Sequence, residues 1–436
     1  MRLTQFIQAM HKFTNLLFLC LLGAGLTAQF TLSGEVRPRA EFRNGFKTPS
    51  STGFDPAFFV EQRSRLYFDY AEDRYVFRLA LQDVRLWGEV PQIFKQENGN
   101  TFLSEAWGQY KFTPGFSVKA GRQIISYDNQ RILGGLEWAQ QGRRHDALLL
   151  IFEGEKKVNQ LHVGLAYNSD DDVPEPALLQ RPAANYYSVS GNYKSLQYAW
   201  FNRRFAEEKG NISLLALNAT LQNPDSTVSH KQTLGTYFSY QLGKVTLSGD
   251  AYAQTGRVGD HRVSGFLAGV NATFATKATP LTLGFEYISG KDDSDESGTV
   301  TWFTPDYGTN HAFNGFMDYF FVGPANGNVG VTDFFVRTKW QVGNAALLAN
   351  AHHFLTGSEQ LDANGEPLTP SLGTEVDLVY VRKLADAVTL HLGYSHLLGT
   401  ETLTTLRPGN RQSNNWAWTM VTFQPTFLKT EAKKKK

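Results

Sequence analysis

The stretch Phe30-Thr31-Leu32-Ser33-Gly34-Glu35-Val36-Arg37-Pro38-Arg39-Ala40-Glu41-Phe42-Arg43 decides the fold. Leu32, Gly34, Val36, Pro38, Ala40 and Phe42 alternate with Ser33, Glu35, Arg37, Arg39, Glu41 and Arg43. Successive side chains of a strand point to opposite sides, so one side here is apolar and the other heavily charged. A soluble sandwich buries its apolar side and wets the other. A closed barrel in lipid turns its apolar side outward and keeps charge in a wet lumen. Alternating segments, each closed by a turn, recur as far as Phe427. The pattern predicts an all-β chain folded as one closed antiparallel transmembrane β-barrel.

Nineteen candidate strands are legible, from 30–43, 58–70 and 75–87 to 387–397 and 415–427. Single-chain bacterial barrels use even numbers, so one candidate is spurious. The weakest turn chemistry lies within 185–221, and eighteen strands are expected. Short connections such as Thr113-Pro114-Gly115 and Gly343-Asn344 alternate with long ones at 44–57, 88–101, 127–144, 169–184, 291–330, 356–372 and 398–414. That asymmetry is the one expected of short periplasmic turns and long outer loops. In the last strand Val421, Phe423, Pro425 and Phe427 share a face, the kind of aromatic-ended terminal strand that barrel-assembly machinery reads.

The one run approaching the length of an apolar helix is N-terminal. Met10-His11-Lys12 leads into Leu16–Leu22 and then the small residues Gly23, Ala24 and Gly25 before Ala28. A charged start, an apolar core and a small-residue cleavage site make residues 1–28 a signal peptide. Residues 29–428 are then the barrel and 429–436 a basic tail. Cleavage takes with it Arg2, Lys12 and the sole cysteine, Cys20, leaving 40 basic against 41 acidic residues. Without a basic excess the chain has no footprint for nucleic acid.

The polar faces carry the functional reading. Segment 30–43 contributes Arg37 and Arg39; 58–70 contributes Arg63 and Arg65 beside Glu61, Tyr67 and Asp69. Segment 75–87 presents Arg78, and a bulge near Gln82-Asp83 brings Arg85 to the same face. Segment 331–341 contributes Arg337 and Lys339 beside Asp333. A charge on the lipid face costs about 2–4 kcal/mol at the midplane, so these side chains are expected to point inward. Eighteen strands leave a lumen too wide for side chains to fill. Fixed guanidinium groups suit carboxylate or phosphate, and rings of charge select by sign in wide pores. In the competing reading the arginines pair with Glu35, Glu41, Glu61, Asp69 and Asp83 and brace the wall.

The most distinctive stretch is Gly121-Arg122-Gln123-Ile124-Ile125-Ser126-Tyr127-Asp128, then Gln130-Arg131-Ile132-Leu133-Gly134, Trp138 and Gly142-Arg143-Arg144-His145-Asp146. It resembles the signature of the alginate-export family of outer-membrane barrels. Leu81–Gly88, Tyr307–Gly315 with Asp318, and Gly373–Leu378 agree with it. The resemblance implies an 18-stranded barrel with an electropositive conduit for a polyuronate, and carries Arg85, Arg122, Arg131 and Arg143 over as conduit residues. From the residues themselves, Arg131 and Arg143 flank a loop long enough to fold into the pore. Pinning of that loop to the wall through Asp128 and Asp146 is the alternative. The interleaved acids set this chain apart from a purely positive conduit.

Other clusters carry less. Asp292, Asp293, Asp295 and Glu296 lack the spacing of a calcium loop, and Asp170–Asp172 form a second acidic run. His352 and His353, adjacent on a strand, face opposite sides. His391 and Ser395 share a face but lie about 13 Å apart at strand rise, too far for a base and its nucleophile. No catalytic residue, metal or cofactor is expected. The leading expectation is a passive outer-membrane channel for anionic, uronate-type saccharides or small anions, with lipid, such a saccharide and the assembly machinery as partners. The alternative is a non-transport barrel, either a loop-displaying scaffold or a barrel-embedded enzyme.

Overall fold

The computed structural model describes residues 28–431 except 52, 54, 89–100, 169–191, 224–226, 277–278 and 321–327. The expected signal peptide, the run Asp170–Asp172 and the end of the basic tail lie outside the described residues. Eighteen antiparallel strands form the wall. In chain order β1 to β6 are Gln29–Asn44, Ala57–Ala71, Tyr75–Leu86, Thr101–Thr113, Phe116–Gln123 and His145–Glu153. β7 to β12 are Asn159–Tyr167, Ser195–Phe205, Gly210–Gln222, Val228–Leu242, Val245–Val258 and Gly265–Phe274. β13 to β18 are Leu281–Ile288, Val331–Val342, Ala345–Leu355, Ser371–Ala385, Val388–Gly399 and Asn414–Phe423. Each strand pairs with its sequence neighbours, and β1 closes the cylinder against β18, Arg39 opposite Met420 and Arg43 opposite Trp416. Closure leaves no open sheet edge, which a lipid-exposed sheet cannot tolerate.

The count matches the eighteen expected, and the surplus candidate falls where it was anticipated, within 185–221. Segment 185–193 lies outside the described residues save for 192–193, which are not strand, and β7 pairs directly with β8. The last strand also differs in detail. Pro425 has no N–H for the ladder, so β18 stops at Phe423; pairing with β1 resumes at Thr426 in the same register and shifts by one residue at Phe427. The Phe427 ring rests on Gly34, where a side chain would collide with it.

The burial pattern is inverted relative to a soluble protein. Phe77, Leu148, Leu214, Leu234, Val270, Leu283, Val336, Leu347, Leu378 and Leu392 are exposed on the outer wall, whereas Glu35, Arg37, Arg39, Glu41, Arg63, Arg65, Glu105 and Asp333 are buried inside. Tyr70, Tyr75, Tyr110, Phe112, Phe116 and Phe152 gather on the outer face near the short turns, with ring centroids 4.8–5.7 Å apart in successive pairs. This is an interfacial aromatic girdle. Gly243 (φ +59°) and Gly343 (φ +58°) open two-residue hairpins, whose twist requires the left-handed backbone.

Because the apolar band faces lipid, Val336→Arg in the middle of β14 should cost about 2–4 kcal/mol of folding free energy. Urea titration of folding into lipid vesicles measures it. A cost near zero would mean that this face is not in hydrocarbon.

Candidate functional site

β1 and β2 bring their inward arginines into adjacent rows: Arg37 lies opposite Arg63, Glu35 opposite Arg65, and Arg39 opposite Glu61. Four like charges this close need compensation, and only part of it comes from the wall. Arg63 Nε donates to Glu35 at 2.5 Å, and Arg39 to Glu41 at 2.7 Å and Glu61 at 2.9 Å. The rest comes from residues 124–144, which leave β5 and fold into the lumen. Arg37 donates to the carbonyls of Glu137 (2.8 Å) and Trp138 (3.1 Å), and Arg39 to that of Trp138 (2.9 Å). Arg63 reaches the carbonyls of Glu137, Ala139 and Gln140, and Gln82 that of Gln141. Oriented carbonyl dipoles thus take the guanidinium hydrogens that water would otherwise bind.

The Glu137 carboxylate completes this seat. It accepts from Arg65 at 2.6 Å and lies 2.7 Å from Arg144 and 3.2 Å from Arg63. Burial pushes this carboxyl up, but Arg144, Arg65 and Arg63 together hold it at about 2. Trp138 is clamped between the Arg39 guanidinium, 4.2 Å above its ring, and the His311 ring, 4.6 Å away and nearly parallel. Trp416 and Trp418 pack on its edge.

His311 belongs to a second inward segment, 302–320, and the two segments interlock. Leu133 bridges to Tyr307, Gly134 N donates to the Tyr307 carbonyl at 2.9 Å, and Thr309 N to that of Gln130 at 2.9 Å. Arg143 Nη1 donates to the Gly308 carbonyl at 2.5 Å. Burial lowers its guanidinium to about 10, against the pull of Asp306, so it stays charged at neutral pH. A side chain on Gly134 would strike Thr309, and one on Gly308 the carbonyl of Arg131.

Beyond the interlock lies an acidic wall. Asn129 donates to Asp250 on β11 (2.6 Å) and Arg131 to Glu286 on β13 (2.6 Å). Asn314 donates to Glu286 (2.7 Å), and Met317 N to Glu375 on β16 (2.8 Å). Asp128 accepts from Trp200 on β8 (2.9 Å) and Ser213 on β9 (2.5 Å), and burial raises its carboxyl against those bonds. The inward segments therefore span the lumen from the arginine wall to the acidic one.

Of the eleven predicted cationic residues, Arg37, Arg39, Arg63 and Arg65 converge on one seat, and Arg131 and Arg143 lie in the interlock. Arg78 faces inward lower on the wall, 2.6 Å from Asp69. Arg337 stacks over Phe335 at 4.3 Å, and Lys339 faces inward nearer the short turns. Arg85 and Arg122 are corrections, because both face outward. β2 and β3 pair without a register shift, so Arg85 lies opposite Gln62 and bonds to its outward neighbour Asp83 at 2.6 Å. The bulge falls instead on β4 at Ser104. Arg122 shares the outer side with Val118 and Ala120 and is 2.6 Å from Asp146. Each is the next-to-last residue of its strand at the long-loop end, where a charge on the lipid side costs only about 0–1 kcal/mol.

Sequence reading missed Glu137 and Gln140, whose arginine partners on β1 and β2 lie more than seventy residues away, and the pairing of Arg144 with Glu137. Ser395 does have an acid beside it, Asp377 at 2.5 Å, and among the described residues its hydroxyl bonds to that acid rather than to His391. Asp292 and Asp293 accept from Glu359 N and Leu361 N, pinning one loop to another. No group of three or more His, Cys, Asp or Glu able to hold a metal occurs among the described residues.

A family model described as alginate export matches residues 28–416. No curated protein matches the sequence significantly. Among solved structures, Pseudomonas aeruginosa OccK2 (OpdF) in complex with glucuronate superposes with a TM-score of 0.57, at 14% identity over 92% of this chain and 97% of that one. Acinetobacter baumannii OccAB4 gives 0.60 at 10% identity over 92% and 99%. Pseudomonas aeruginosa OpdO gives 0.60 at 11% identity over 92% and 98%. At such identities the likeness is one of fold.

Glu137→Gln removes the carboxylate shared by three guanidinium groups. Its side chain is 42% exposed, so the barrel should stay folded while the seat loosens. Hydrogen bonds to charged groups are worth about 1.5–3 kcal/mol, so amide exchange over residues 134–143 should accelerate by roughly 10–100-fold. Unchanged exchange would show that the carbonyl contacts alone hold the segment. Acidification is no substitute: the carboxylate's contribution is complete above the ordinary glutamate range and is lost only as pH falls toward about 2.

Proposed function

The chain belongs to the alginate-export family of outer-membrane barrels, and within it we propose a passive channel for anionic, uronate-type saccharides or small anions. The observation that carries the reading is the constriction: guanidinium groups on β1 and β2 face acids on β11, β13 and β16 across an inward segment bonded to both. Such a site imposes a transverse field on anything that passes and favours a carboxylate on the arginine side. The glucuronate in the OccK2 complex, a structure of similar fold, supports a uronate as cargo. On this reading residues 1–28 are a cleaved export signal, and the aromatic-ended last strand is what the assembly machinery engages. No enzymatic step is assigned.

One observation favours a second reading, a non-transport scaffold: the arginines are engaged by wall acids and by the inward segment rather than left free.

Single-channel recording under a salt gradient separates the two. The channel reading expects anion-selective openings that galacturonate interrupts. Arg37→Gln with Arg63→Gln should unseat the inward segment, raise conductance and weaken anion preference. Arg122→Gln, on the outer face, should change neither. Folded barrel that never opens would put the scaffold reading first.

A further inference from the structure

Of the inward arginines, Arg39, Arg63, Arg65, Arg78 and Arg131 are ion-paired where they stand, and Arg37 and Arg143 are held by carbonyl oxygens. Among the described residues, by contrast, no carboxylate lies within 4.0 Å of Lys111, Lys119 or Lys339, which face the lumen toward the short-turn end. Two of these three share a cavity. It has a volume of about 680 Å³ and lies between the inner faces of β4–β7, beneath the point where residues 124–127 turn into the lumen. Its base is the short turn Thr113–Phe116.

We propose that this vestibule is a binding site for a carboxylate-bearing saccharide unit, with Lys111 and Lys119 holding the carboxylate. The proposal deepens the channel reading and rests on it for the ligand class. Ser117 lies opposite Lys111 and Gln109 opposite Lys119, so the two lysines are diagonal neighbours across β4 and β5. Diagonal pairs stand about 7–8 Å apart, within reach of long side chains, so both ammonium groups can close on one carboxylate. Lys119 is already positioned, with Nζ 3.8 Å over the Trp107 ring, and the indole is held by its bond to Glu105 at 3.0 Å. Gln109 and Ser117, bonded to each other at 2.8 Å, offer the donors and acceptors that sugar hydroxyls need.

The opposite side of the cavity carries a further polar group. The Tyr127 hydroxyl lies 3.0 Å from both His162 Nδ1 and the Tyr198 hydroxyl. That contact fixes the imidazole at the edge of the cavity. Ile124, Leu149 and Ile151 supply apolar surface for the C–H face of a sugar ring. The acid at the rim, Glu153, is occupied by Lys157 at 2.8 Å. The volume falls within the usual range of ligand sites, about 300–1,000 Å³. A saccharide arriving from the short-turn side would meet this uncompensated charge before it met the arginine seat.

Calorimetric titration of trigalacturonate into the folded, detergent-solubilised full chain tests the site without relying on conduction. Wild type should bind saturably and more weakly as salt rises, and maltotriose should not compete. Lys111→Gln with Lys119→Gln should weaken binding about tenfold or more, the loss expected for charge-assisted bonds. Lys119→Arg should retain it, and heat-modified gel mobility verifies folding of each variant. Equal affinity in wild type and the double glutamine variant, equal affinity for maltotriose, or no binding to folded wild type would each overturn the site. Such a failure leaves the channel reading to be judged by conductance. A barrel that binds trigalacturonate but never opens would keep the site and remove the channel.

Discussion

The architecture of the lumen depends on the seating of one short turn of backbone, residues 137–141, against the guanidinium rows of β1 and β2. Arg37, Arg39, Arg63 and Arg65 stand in adjacent positions on neighbouring strands, an arrangement that like-charge repulsion would make costly on a bare wall. Carboxylates on the same strands neutralise part of it. The carbonyls of residues 137–141 and the Glu137 side chain supply the rest, and in doing so fix where the inward segment lies. Trp138, His311 and the second inward segment then follow by contact. Remove the arginines and the segment loses its anchors on β1 and most of those on β2; remove the segment and the arginines lose most of their hydrogen-bond acceptors.

Much of this was legible in the alternation of residues 30–43. One strand with five charges on one side and six small or apolar residues on the other admits few folds, and the inverted burial of Phe334 and Asp333 on β14 follows from the same rule. Strand parity proved less legible than strand existence. Arg85 was placed inward by assuming a bulge in β3, but the bulge sits in β4, and one displaced residue reverses the facing of everything beyond it. Arg122 was expected in the conduit only through the family resemblance, and a strand end permits the outer ion pair it makes with Asp146. Glu137 was invisible because its partners Arg63 and Arg65 are separated from it by more than seventy residues, and no local pattern marks a loop carboxylate that folds back onto distant strands.

The electrostatic picture also shifts when pairing is considered alongside sign. Counting arginines suggests a strongly positive wall. Yet Glu35, Glu41, Glu61, Asp69 and Glu137 all lie within ion-pair distance of those arginines. A field still crosses the lumen, because Asp250, Glu286, Asp333 and Glu375 occupy the other wall, where Glu286 pairs with Arg131 while Asp250 and Glu375 accept from the neutral donors Asn129 and Met317 N. Lys111, Lys119 and Lys339, which have no carboxylate within 4.0 Å among the described residues, stand closer to the short turns. Sign selection and cargo positioning can therefore be properties of different heights in the same pore.

The family-like motifs acquire a physical meaning in this light. Gly134 and Gly308 are the close approaches that let the two inward segments touch, Trp138 and His311 stack on each other, and Arg143 ties one segment to the other. Glu375, from a third motif piece, accepts the backbone N–H of Met317, and Gln82, from a fourth, accepts from Arg65 while donating to Gln141. These residues are occupied with one another. A motif built this way specifies how a barrel narrows its lumen and leaves the identity of the cargo to side chains around the constriction. That is why resemblance across the whole chain determines the architecture rather than the cargo.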